Sequence, residues 1–177
     1  MIVVKVLWVI CLFATSLGFT PLNAQDIEAL FDFYHATSGP YWIVSGNLWN
    51  FTSRNTTGTN PCLVYNETTQ ELTEGWYGMG CSAMCDEVPP GDCHVSAIYL
   101  ERSGLVGSLP SQVVALEHMA SFDVASNQIS GSIPADLGLS GSLYSLNLMH
   151  NELTGSLPEE LVCNPSLRTF KVDNNHF

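Results

Sequence analysis

Pro110, Pro134 and Pro158 stand 24 residues apart, as do Gly107, Gly131 and Gly155, and Asn127, Asn151 and Asn175. A fixed period in the twenties, carried by several positions at once, restricts a chain to a stack of equivalent units. The stretch from Leu143 to Pro158 repeats the pattern of Met119 to Pro134, a looser copy runs from Val95 to Pro110, and a fourth begins at Leu167 and reaches Phe177. One such unit is too small to bury its apolar side alone, so the units stack into a curved solenoid. Within a unit, Leu146 and Leu148 alternate with Ser145, Asn147 and Met149. A strand sends alternate side chains to opposite faces, so the leucines enter the core and the residues between them share one surface.

The other recurring positions have physical roles of their own. Asn151 ends the strand where the backbone turns inward, and a column of amides at Asn127, Asn151 and Asn175 can satisfy the backbone groups that the turn leaves without partners. The first copy has Ser103 at this place. Gly155 permits a tight turn, and Leu157-Pro158 opens the return path, with proline fixing φ where no ladder donor is needed. The expected architecture is one short parallel sheet on the concave face with irregular or 3-10 return paths. Its repeats are 95–118, 119–142, 143–166 and the incomplete 167–177. Four strands at about 4.8 Å spacing give a face roughly 15 Å across. One outward column reads Tyr99, Asp123, Asn147, Lys171; the next reads Glu101, Ala125, Met149, Asp173; a third, Ala97, Ser121, Ser145, Thr169, is small and hydroxylic.

The runs Asn127-Gln-Ile129-Ser-Gly131-Ser-Ile133-Pro134 and Asn151-Glu-Leu153-Thr-Gly155-Ser-Leu157-Pro158 resemble the plant-type leucine-rich repeat. What precedes them is similar to the N-terminal cap of that family: an amphipathic helix, then Gly39-Pro40-Tyr41-Trp42, Asn60-Pro61-Cys62 and Trp76-Tyr-Gly78-Met79-Gly80-Cys81. Met79 stands where the family usually has Val or Ile, and Cys85 and Cys93 are additional to the pattern. The resemblance covers nearly the whole chain after the leader. It implies a leucine-rich repeat solenoid preceded by a helical, disulfide-linked cap over 25–94. It also implies a binding ectodomain, like those of receptor kinases, receptor-like proteins and polygalacturonase inhibitors. By resemblance Cys62 and Cys81 form the cap disulfide, which leaves Cys85 with Cys93; the spacing of four cysteines by itself allows three connectivities. Zinc held by Cys81, Cys85, Cys93 and His94 is the rival reading, but exported thiols oxidise and the spacing fits no common zinc pattern. No metal and no cofactor are expected.

Residues 1–24 read as a secretory leader: Lys5, an apolar run from Val6 to Phe13 shorter than the roughly 20 residues that span a bilayer, then small residues. Cleavage fits after Gly18, with Ser16 two positions earlier, or after Ala24, where Leu22 fits less well. Cys11 leaves with the leader, and Cys163, on the return path of its repeat, is expected to be a buried free thiol. Asn50, Asn55 and Asn66 head glycosylation sequons in a Ser/Thr/Asn/Gly-rich stretch expected to be a surface loop. Ile27, Leu30, Phe31 and Tyr34 fall on one helical face, with Asp26 as the expected cap. That helix is expected to cover the open end of the first repeat, with Trp42, Trp49 and Trp76 in the cap core.

Seventeen carboxylates against five basic residues argue against nucleic acid and anionic membranes as partners. His35, His94, His118, His150 and His176 are dispersed, only His150 falls beside the strand face, and there is no phosphate loop, so no enzyme is expected. The reading is an extracellular recognition module that binds a protein, peptide or glycan through Tyr99, Glu101, Asp123, Asn147, Met149, His150 and Lys171. The alternatives are an inhibitor of a secreted hydrolase and a cell-wall structural protein. Because the fourth repeat stops before its Gly and Pro, the chain is expected to be a piece of a longer receptor-like protein.

Overall fold

The computed structural model describes residues 22–44, 49, 51–53, 56–57, 62, 64–66, 71–73, 75–82 and 93–177. The apolar leader run, the acceptor residues Asn50 and Asn55, and Cys85 lie outside the described residues. Helix α1 spans Ala24–Ala36. Its N-cap is Asn23, whose side chain accepts a hydrogen bond from Gln25 N at 2.8 Å; Asp26, the expected cap, is instead buried in the helix. The buried line is Asp26, Ala29, Leu30 and Phe33. The expected stripe of Ile27, Leu30, Phe31 and Tyr34 is thus rotated, leaving Ile27 and Tyr34 as partly buried shoulders. Phe33 takes the centre because three aromatic rings meet it there: Trp42 and Trp49, each at 5.9 Å, and Phe122 of the second repeat at 5.6 Å. Trp42, Trp49 and Trp76 are all buried in the cap core. Indole N–H groups find partners as burial demands: Trp42 Nε1 donates to Thr37 O at 2.8 Å and Trp49 Nε1 to Tyr77 O at 3.0 Å.

Within the polar stretch after Trp49, expected to be a surface loop, residues 51–53, 56–57, 64–66 and 71–73 are strands. Strands β1 (Phe51–Ser53) and β2 (Thr56–Thr57) pair antiparallel, as do β3 (Val64–Asn66) and β4 (Glu71–Thr73). β-branched and aromatic residues such as Val64, Tyr65 and Thr73 suit a pleated strand better than a loop. Asn66 heads its sequon from within β3, opposite Glu71.

Strand β5 (Met79–Cys81) pairs antiparallel with β6 (Val95–Tyr99) and closes the first edge of the main sheet. The helix covers the first repeat as expected, but not at this strand edge. It packs instead on β7 (Val106–Ser108) and on the 3-10 turn Ser111–Ala115 of the first return path. An edge strand has backbone donors and acceptors to fill, and only another strand supplies them in register. Gly107, at φ 132°, is where cap and repeat meet, since a Cβ there would lie 2.0 Å from Ala36 O.

From β6 onward the strands are parallel: β8 (Ser121–Asp123), β10 (Ser145–Asn147) and β12 (Thr169–Lys171), in the order β5-β6-β8-β10-β12. Ile98, Phe122, Leu146 and Phe170 stand opposite one another in register, each pointing into the core. A second parallel sheet, not expected from the pattern, joins β7 to β9 (Gln128–Gly131) and β11 (Glu152–Leu153). Return paths run through 3-10 turns at Ser111–Ala115 and Ala135–Leu139 and through the short helix α2 (Glu159–Val162). Helix α2 turns Leu161 inward and leaves Val162 and Cys163 exposed. The free thiol of Cys163 is therefore on the convex surface, contrary to the expectation of burial, because it follows the inward Leu161 by two residues at the end of the helical turn. None of the helices among the described residues is long and apolar enough to cross a membrane.

Candidate binding face

The outward columns stand where the period places them. Tyr99 is opposite Asp123, Asp123 opposite Asn147 and Asn147 opposite Lys171, while Ala97, Ser121, Ser145 and Thr169 form the adjoining line. Tyr99, at 53 % exposed, and Lys171 are open to solvent at the two ends of their column. The middle of the column is tied to itself. Asn147 Nδ2 donates to Asp123 Oδ2 at 2.9 Å, Ala125 N donates to Asp123 Oδ1 at 3.0 Å, and Met149 N donates to Asn147 Oδ1 at 3.4 Å. Asp123 and Asn147 are half-buried as a result, and Ala125 is buried. These two residues shape the face as well as present it, so the most accessible groups are those at its ends and along its rim.

A further row lies past the strands. Arg102, Ser126, His150 and Asn174 all have left-handed φ, between 54° and 58°. Only His150 of this row was picked out from sequence. The same 24-residue step taken from His150 would have found the other three, since each precedes the turn position of its own repeat. Side chains other than Gly, Asn and Asp seldom accept this conformation, and the turn imposes it in every unit. Asn174 Nδ2 and His150 Nε2 lie 3.4 Å apart. Arg102 Nε lies 3.5 Å from Glu101 Oε1. Both residues of that pair are exposed, so it contributes little to stability.

Behind the row runs the amide column that anchors the turns. Asn127 Oδ1 accepts from Ser103 N and Leu105 N, and its Nδ2 donates to Leu100 O, Val124 O and Ala125 O. Asn151 bonds Ile129 N, Val124 O, Leu148 O and Met149 O in the same manner. Asn175 bonds Leu153 N, Leu148 O, Val172 O and Asp173 O. Each amide reaches back to the unit before it. The strand before Ser103 is the antiparallel β5, and Ser103 is buried with Oγ donating to Glu101 O at 3.2 Å.

Asp26 plays a related part between cap and repeats. It is 2 % exposed, its Oδ2 accepts from Val95 N at 2.7 Å, and His94 Nδ1 lies 3.4 Å from the same oxygen. Burial pushes its carboxyl above the ordinary carboxylate value, against the opposing pull of the Val95 N–H and of His94. The His94 ring stacks on His118 at 4.0 Å. Cys62 is bonded to Cys81, and Cys93 is also in a disulfide, with its Sγ 3.4 Å from Cys62 Sγ. Sulfurs engaged this way offer no thiolate to a metal. The convex residues Gln112, Asp136 and Glu160 are exposed on the return paths, away from the strand face.

Residues 142–164 match the family described as Leucine Rich Repeat. Three structures from Arabidopsis thaliana share the fold. The leucine-rich repeat ectodomain of the receptor kinase SOBIR1 is 19 % identical with a TM-score of 0.62, over 89 % of this chain and 70 % of that one. The BIR2 ectodomain is 22 % identical with a TM-score of 0.61, over 86 % and 69 %. The BIR3–SERK2 complex is 20 % identical with a TM-score of 0.58, over 85 % and 69 %. None of the curated protein sequences matches the chain. The fold is a leucine-rich repeat solenoid with a disulfide-linked N-terminal cap.

Proposed function

We propose that this chain is an extracellular recognition module that binds a protein or peptide across its strand face, with Tyr99, Glu101, Lys171 and the rim residues Arg102 and His150 making the contacts. The carrying observation is the column Tyr99, Asp123, Asn147, Lys171, which changes from aromatic to acid to amide to base across strands held in strict register. A surface that changes chemistry every 4.8 Å or so suits a ligand whose own chemistry changes along its length, such as a polypeptide. Glu101, Arg102, Lys171 and Asp173 add charges of both signs along the same surface, which favours orientation and selectivity over bulk affinity. One of the similar structures is itself a complex of two proteins, BIR3 and SERK2. The apolar leader run, the three acceptor sequons and the cap disulfide fit an extracellular setting. Asp123 and Asn147 act mainly by holding the shape of the face.

The test is a binding screen of the folded chain against extracellular proteins and peptides, followed by paired substitutions on any ligand found. Tyr99→Ala with Lys171→Ala should weaken binding at least tenfold and leave the melting temperature nearly unchanged. Gln112→Ala with Glu160→Ala should leave both unchanged. Loss of binding in the second pair and not the first would place the site on the convex side.

A further inference from the structure

The sequence offers two places for the leader to be cut, and they leave different proteins. Leu22 is only 4 % exposed and forms a parallel bridge with Cys93. Asn23 N donates to Cys93 O at 2.8 Å, Asn23 O accepts from Ile27 N at 3.1 Å, and Asn23 Oδ1 accepts from Gln25 N at 2.8 Å. Leu22 and Asn23 are therefore the first pieces of the cap, tying the start of α1 to the segment that enters β6. Ala24, by contrast, is exposed.

A cut after Ala24 would remove the buried leucine, the helix cap and the bridge together. It would also set a new ammonium group on Gln25, in the first helical turn, where the backbone dipole already presents positive charge. The freed first-turn N–H groups would have no side-chain acceptor at the cap position. A cut after Gly18 removes none of this, and it places Ser16 and Gly18, both small, at the two positions where a leader peptidase requires small side chains. The cut is made on an unfolded segment, so the fold does not steer the peptidase. It determines which product is a complete domain.

We propose that processing leaves Leu22 and Asn23 on the mature chain, with the cut after Gly18 and Phe19 as the new first residue. This rests on the export reading above and adds to it the position of the cut. The experiment is N-terminal sequencing of the full chain secreted from a eukaryotic host, beside Gly18→Trp and Ala24→Trp variants. The expected result is an N-terminus at Phe19 for the wild type and for Ala24→Trp, and loss of that terminus for Gly18→Trp. A wild-type terminus at Phe19 supports the proposal, and one at any later residue overturns it while leaving export intact. Unprocessed chain that stays in the cell overturns both. As a second readout, a chain starting at Gln25 should melt lower than one starting at Phe19 by roughly 5 °C. Equal melting temperatures would overturn the assignment of Leu22 and Asn23 to the folded cap.

Discussion

The cap and the repeats solve the same problem, burial of apolar surface in a small volume, by opposite means. The repeats give each position one chemical role and stack it: apolar Ile98, Phe122, Leu146 and Phe170 in the core, and the amides of Asn127, Asn151 and Asn175 at the turn. The cap uses a set of unlike aromatic contacts. Trp49 stacks on Trp76 at 5.3 Å, Phe51 meets Trp76 edge-on at 4.6 Å, and Phe33 reaches across to Phe122. In the repeats a position's role follows from its place in the period. In the cap it follows from a particular neighbour, so each contact has to be known individually. The two regions join at Phe33–Phe122, Asp26–Val95 and Gly107–Ala36, and there their stabilities are coupled.

Breaking the cap core should have the largest effect. Trp76→Ala removes a fully buried indole and should cost about 3–5 kcal/mol by denaturant titration. Phe33→Ala should cost about as much. In a double-mutant cycle with Phe122→Ala it should show a coupling of about 0.5 kcal/mol or more. Additive losses would mean that cap and repeats unfold independently.

Replacing Cys62 and Cys81 together by serine should cost about 2–5 kcal/mol. Hydrogen exchange should show protection lost first in β5 and only later in β10, because Cys81 lies in β5. Uniform loss of protection would contradict the division between a cross-linked cap and a self-supporting stack.

The amide column gives a sharper contrast. Asn151→Ala leaves several buried backbone groups unpaired and should cost about 1–3 kcal/mol. Ser103→Asn, which restores the repeat's own residue, should not stabilise, because the neighbouring strand β5 runs antiparallel and the site is filled. A gain in melting temperature for Ser103→Asn would refute the account given of that serine.

The smallest effect concerns Asp26. Burial raises its folded carboxyl above the ordinary value of 3.8, so folding favours the protonated form. The stability this contributes is fully present below the unfolded value and is lost as pH rises through the raised folded value. Asp26→Asn keeps an acceptor for Val95 N and does not titrate. The melting temperature of the wild type relative to Asp26→Asn should therefore fall as pH rises from below 3.8 toward neutrality. A difference that grows over that range would show that the Val95 N–H and His94 outweigh burial.

Much of the candidate face was legible because the period supplies direction. Leu146 and Leu148 face inward, so Ser145, Asn147 and Met149 lie on the other side, and a step of 24 residues carries this to every unit. The left-handed row was recoverable by the same step. What could not be read was which residues on the face are already occupied. Asp123 and Asn147 look like free polar groups in sequence, and only their juxtaposition on neighbouring strands shows that they bond each other. In the cap, the helical pattern of α1 admits more than one stripe. Phe33 was overlooked because its partners Trp42, Trp49 and Phe122 are contributed by other segments.

The sequence by itself determined the repeating unit, the parallel register of the main sheet, the inward leucines and the amide column, because each follows from local periodicity and backbone valence. Tertiary structure alone decided that β5 rather than the helix closes the sheet edge, that a second sheet joins β7, β9 and β11, that Asp26 is buried against Val95, and that Cys163 faces solvent. Those outcomes depend on which distant segment fills a given set of hydrogen bonds or a given space, and a pattern along the chain carries no record of the partner across it.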